Sequence, residues 1–145
     1  MCIGNRDGGD DGAGPYIAYK LKDKLTVIDC GVVPENYTSV VKHHNPENLI
    51  IIDAVEMGQP PGEIRIVPKD KIGVMHISTH GIPISVLINY LSQYVKKIVF
   101  IGVQPKTMSG KMSQQVKKSA DLLIKLLIKK QIDGIETLQN IEIKE

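Results

Sequence analysis

The chain has 145 residues, 42% of them apolar and 23% charged, with a net charge of +2, a balance that fits a folded domain and excludes a disordered chain. One Phe, five Tyr and no Trp leave few rings for stacking bases, which weighs against a single-stranded nucleic-acid reader. Two cysteines are too few for a disulfide scaffold, and neither a signal-like start nor a run of about 18 apolar residues is present, so the expectation is a soluble, cytoplasmic protein.

Short apolar runs alternate with amphipathic stretches along the chain, which predicts an α/β fold. Residues 1–4 read as the end of a first strand. That strand is short for the interior of a sheet, and a truncated or misassigned start would explain it. A loop rich in Gly and Asp follows over 5–14, then a helix over 15–22 with Pro15 in its first turn. Strands are expected at 25–29 and at 49–53, where Leu49-Ile50-Ile51-Ile52 runs into Asp53 and forms the best central strand. A short helix lies within 34–44 and stops before Pro46. Residues 59–62 form a turn, and 63–67 alternate like a half-exposed strand. A helix starts near Pro83, because Ile84, Leu87, Ile88 and Leu91 fall at helical spacing. A buried strand follows at 97–102. Ser113 is placed to cap a last helix that runs to about 130. One domain spans 1–145, with 132–145 as a tail or a weakly packed strand.

In an open α/β sheet, ligands bind beyond the carboxyl ends of the strands. Asp10 and Asp11 follow the first strand, Asp53 ends the central one, and His80 follows residues 74–78. Two carboxylates and an imidazole suit a borderline divalent ion such as nickel or zinc. Clustered negative charge is also poorly tolerated without a cation. Spacing alone equally allows Asp11 to cap the first helix and Asp53 merely to end a strand. The glycines of 4–14 invite a phosphate-binding reading, but no Lys-Ser/Thr pair closes the loop and its aspartates would repel phosphate. His76 and His80 are four apart, yet Ile77 stands where a zinc-protease helix carries Glu. His43 and His44 read as surface residues, Cys30 as a small buried one. The lysines at 117, 118, 125, 129 and 130 form a solvated helix face.

The motifs taken in order resemble one family. Ile3-Gly4-Asn5 through Gly9-Asp10-Asp11-Gly12-Ala13-Gly14-Pro15 is similar to the GxGN…DDGxG signature of hydrogenase maturation endopeptidases. Ile28-Asp29-Cys30-Gly31 with Pro34-Glu35-Asn36 follows, then Ile51-Ile52-Asp53-Ala54 with Met57-Gly58, and Pro61-Gly62-Glu63-Ile64-Arg65. Ser78-Thr79-His80 with Pro83 and Gly102-Val103-Gln104-Pro105 complete the series, which covers Ile3 to about Lys130. The Thr-His and PGEIR segments resemble the branch serving hydrogenase-3-like or deazaflavin-reducing hydrogenases.

The resemblance implies a three-layer α/β/α sandwich around a twisted, mostly parallel sheet. It implies an aspartyl-type endopeptidase that removes a short C-terminal peptide from the nickel-loaded precursor of a nickel–iron hydrogenase large subunit. Asp11, Asp53 and His80 would be both the catalytic and the metal-binding residues, with Asp10 and Asp29 in support. Nickel would arrive with the substrate, and cadmium or zinc would substitute for it in vitro. Neither nucleic acid nor membrane is an expected partner. A nickel-dependent chaperone without proteolysis and a nucleotide-binding module are the alternatives. Arg6-Asp7-Gly8 departs from the family, which has an apolar stretch after Gly-Asn.

Overall fold

A computed structural model describes residues 1–73, 75 and 81–139. Five strands form one sheet in the order β2-β1-β3-β5-β4. These are β1 (Cys2–Ile3), β2 (Asp29–Gly31), β3 (Asn48–Ala54), β4 (Ile64–Ile66) and β5 (Lys97–Val103). All neighbours run parallel except β4, which lies antiparallel on the edge against β5. The helices are α1 (Ala13–Leu21), α2 (Thr38–His44), α3 (Lys69–Ile72), α4 (Ile84–Leu91) and α5 (Gln114–Ile128).

Side chains of a strand alternate between the two faces of the sheet, and here helices cover both. Leu49 and Ile51 of β3 pack on one face with Phe100 and with Val41, Leu87, Ile88 and Leu91 from α2 and α4. Ile52 packs on the other face with Ile101 and Val103 and with Ile17, Leu21, Val116, Leu123 and Leu127 from α1 and α5. This is why β3 and β5 read as continuous apolar runs. Each such Ile or Leu, fully buried, contributes about 1.5–3 kcal/mol. The result is the α/β/α sandwich expected from the sequence.

Most of the helix expectations hold. Pro83 precedes α4, and its predicted apolar positions are all buried. Ser113 Oγ accepts from Val116 N–H at the start of α5. A 3-10 turn, Pro34–Tyr37, leads into α2, and Asn45 closes it in the left-handed region at φ 46.

One expectation is corrected. The second strand lies at Asp29–Gly31 and not at 25–29, because β1 is only two residues long and offers no ladder to the residues before Ile28. Of the two readings of 132–145, a tail or a weakly packed strand, the described part 132–139 follows the second. Ile66 N–H donates to Glu136 C=O, Leu138 N–H donates to Ile66 C=O, and the Leu138 side chain is buried. Residues 74, 76–80 and 140–145 lie outside the described residues, so the expectation for 74–78 and for His80 does too.

Candidate functional site

β1 and β3 are neighbours in the sheet; Asp53 lies at the carboxyl end of β3, and Asp11 lies in the turn that follows β1. After β1 the chain passes through Gly4 at φ +151, where a Cβ would stand 1.9 Å from the Asp11 carbonyl oxygen. Only glycine lets the two strands of this loop approach so closely. Gly8 N–H donates to Asn5 C=O and Asp11 N–H donates to Gly8 C=O, which winds residues 9–12 into a 3-10 turn lying against β3. Asn5 N–H donates to Asp11 Oδ2 at 3.0 Å. Asp11 therefore does not cap α1, whose N-cap is Gly12 with no side-chain cap. Asp53 is the penultimate residue of β3, paired in register with Gly102 of β5. Asp11 is 4% exposed and Asp53 0%.

Asp10 does something different. Its carboxylate accepts from Lys106 N–H (2.8 Å), Thr107 N–H (3.1 Å), Ser113 N–H (2.6 Å) and Ser113 O–H (2.9 Å). Gly9, at φ +63, allows the tight approach, since a Cβ there would meet Ser109 backbone atoms at 2.7 Å. Burial alone would push the Asp10 carboxyl up, but the donors from Ser113, Lys106 and Thr107 outweigh it and hold its pKa below the usual value. Asp10 thus fastens the loop before α5 to the turn that carries Asp11.

Asp29 accepts Arg6 at 2.8 Å through Oδ2 and Gly31 N–H at 3.3 Å through Oδ1. Arg6, which departs from the family pattern, so ties the first loop to the start of β2.

Gln104 is a supporting residue whose role spacing did not reveal. It is buried at the end of β5. Its Oε1 accepts from Met57 N–H (2.7 Å) and Gln59 N–H (3.2 Å), and its Nε2 donates to Glu56 Oε2 (2.7 Å) and Pro105 C=O (3.3 Å). All four hydrogen-bonding positions of the carboxamide are used. They fix the segment that leaves β3 just after Asp53. A polar residue directly following a buried apolar strand is the signal that points to it.

Among the described residues, no three His, Cys, Asp or Glu side chains converge as a metal site. The third sequence-derived ligand, His80, lies outside those residues. What the fold supplies is two buried carboxylates, one at the end of β3 and one on the turn packed against β3, both hard oxygen donors of the kind a divalent cation takes. The thiols contribute nothing to such chemistry: burial raises the Cys2 pKa and pushes Cys30 up to about 12. Nor is the glycine-rich loop a phosphate cradle. Its amides at Gly4, Asn5, Asp7, Gly8, Asp10 and Asp11 already donate to protein acceptors.

Comparison with known proteins agrees with the motif series. The family model HycI, described as hydrogenase maturation protease, matches residues 16–130. The hydrogenase 3 maturation protease of Escherichia coli K12 is 37% identical over 134 residues, covering 88% of this chain and 86% of the relative. A putative hydrogenase maturation protease of Methanocaldococcus jannaschii is 34% identical over 142 residues, covering 88% and 84%. The solution structure of the Escherichia coli endopeptidase HycI superposes with a TM-score of 0.87 at 34% identity, covering 99% of this chain and 96% of that one.

Proposed function

The chain belongs to the hydrogenase maturation protease family and is a peptidase, and from that premise we propose that it removes a short C-terminal peptide from the nickel-loaded precursor of a nickel–iron hydrogenase large subunit. The observation that carries the reading is the pair of buried carboxylates, Asp53 at the end of β3 and Asp11 on the turn that packs against β3. His80 completes the set, two oxygens and a nitrogen suited to a borderline ion.

The precursor's nickel is part of the substrate. When bound it polarises the scissile carbonyl or acidifies a water molecule, either worth several kcal/mol of barrier. One of Asp11 and Asp53 takes the proton of the attacking water as its oxygen adds to the carbonyl carbon. That proton passes to the amide nitrogen as the C–N bond breaks. The Asn5 N–H that holds Asp11 Oδ2, and the Asp10 staple behind it, keep the carboxylate in place without a conformational search. Because the ion comes with the substrate, unloaded precursor binds weakly and is spared. Asp10, Asp29 and Gln104 act by support.

The test is processing by site variants. Asp11→Asn, Asp53→Asn and His80→Ala are each expected to lower the rate of C-terminal removal by about a hundredfold or more, with thermal unfolding still cooperative. Variants that process at the parental rate would overturn the assignment of that residue.

A further inference from the structure

The flank covered by α2 and α4 carries side chains that neither the core nor the site uses. Inward, α4 presents Ile84, Leu87, Ile88 and Leu91, all buried. Outward, Val86, Tyr90 and Tyr94 recur every fourth residue and so share one face of the helix and of the turn that continues it. They are 52%, 38% and 45% exposed. Lys42 of α2 reaches across both rings. Its Nζ lies 4.8 Å from the Tyr94 centroid and 5.4 Å from that of Tyr90, and it donates to the Tyr90 hydroxyl at 2.9 Å. The two rings are 5.5 Å apart.

This flank is basic by placement, in a chain whose net charge is only +2. Residues 38–46 and 81–97 hold Lys42, Lys96 and Lys97 and neither Asp nor Glu. On α3, which touches α4, Asp70 stands between Lys69 and Lys71. Lys42 forms no ion pair among the described residues. Tyrosines offer an interface large contact area with a polar tip. The rings also hold the Lys42 ammonium in place, which lowers the ordering cost of binding. An acidic surface is the electrostatic complement. A second copy is not, because a twofold contact here would set Lys42 against Lys42.

α4 leads through a short turn into β5, which runs parallel to β3, so its first turn faces the carboxyl rim where Asp53 stands. Val86 lies in that first turn. From there to Tyr94 the stripe runs about 12 Å down the flank. We propose that the stripe formed by Val86, Tyr90, Tyr94 and Lys42 is a docking surface for an acidic patch on the folded large-subunit precursor. The proposal rests on the proteolytic reading above. It adds that the substrate is held as a folded protein and not only by its C-terminal segment.

The experiment measures cleavage of the nickel-loaded precursor by the full chain and by Lys42→Glu, Tyr90→Ala and Lys125→Glu. The last makes the same charge change on α5, across the sheet. Lys42→Glu and Tyr90→Ala are each expected to raise KM about tenfold with kcat within twofold, the mark of lost binding without lost chemistry. Lys125→Glu should leave KM within twofold. The parent's KM should climb as salt is added, and that of Lys42→Glu less steeply. A KM within twofold of the parent for both flank variants would overturn the proposal while leaving the protease reading standing. So would an equal rise in Lys125→Glu, which would mark net charge and not a surface. So would flank variants that change self-association or binding to anionic vesicles and leave KM alone. A parent chain that cuts no precursor would overturn both.

Discussion

At Asp10 four donors meet one carboxylate, and the consequence for stability has a definite sign. A carboxyl whose folded pKa is depressed adds stability that is fully present above the unfolded value and is lost as pH falls through the folded one. The ordinary value is 3.8, so the contribution should be intact at pH 7 and fade from about pH 4 downward. Asp10→Asn lacks this titration. Urea unfolding of the two proteins across pH should show the parent's advantage at pH 7 shrinking as the solution is acidified below 4. A constant gap would refute the staple. Asp10 and Asp11 stand next to each other in the sequence, and spacing placed both beyond the first strand. It could not divide their work, because Asp10's partners come from residues 106–113, nearly a hundred positions away. The same is true of Gln104, whose acceptors and donors lie on the segment after β3.

Among the elements, β3, β5, α4 and α5 are legible because their signals are local. Isoleucine runs mark strands buried on two faces, and apolar residues at helical spacing mark a single buried stripe. Ser113 is local too: its hydroxyl accepts the Val116 N–H while donating to Asp10. Ser113→Ala should cost about 1 kcal/mol for the cap plus the share of the Asp10 bond, read as a lower urea midpoint at unchanged slope. β2 is shifted from its apolar run because strand limits are set by the partner: the two strands run parallel with Cys2 opposite Asp29, so β1 has no residue to pair with 25–28. Residues 132–139 read equally as a tail or a weakly packed strand for a related reason. Their bonds go to Ile66 on an edge strand, and the sequence alone carries no mark of that pairing. Leu138, 2% exposed beneath that segment, should cost about 2–5 kcal/mol when changed to Ala. A change under 0.5 kcal/mol in the same unfolding assay would show that the segment is not part of the cooperative unit.

For the molecule as a whole, the parallel sheet gathers loops from distant parts of the chain onto one rim. Asp11, Glu35, Asp53 and Gln104 all follow or end strands there. Support is built around the acidic turn from both sides, by the Arg6–Asp29 pair on β2 and by the Asp10 staple to the loop before α5. That rigidity suits a peptidase site, which must hold one bond of its substrate in place for hydrolysis. No helix among the described residues is long and apolar enough to cross a membrane. The measurement that bears most directly on the account is the intact mass of a hydrogenase large-subunit precursor after incubation with the purified chain, with and without prior nickel loading. The loaded precursor should lose a single C-terminal peptide and the nickel-free precursor should keep its full mass. Equal cleavage of both, or of neither, would contradict the claim that the substrate's own ion completes the site.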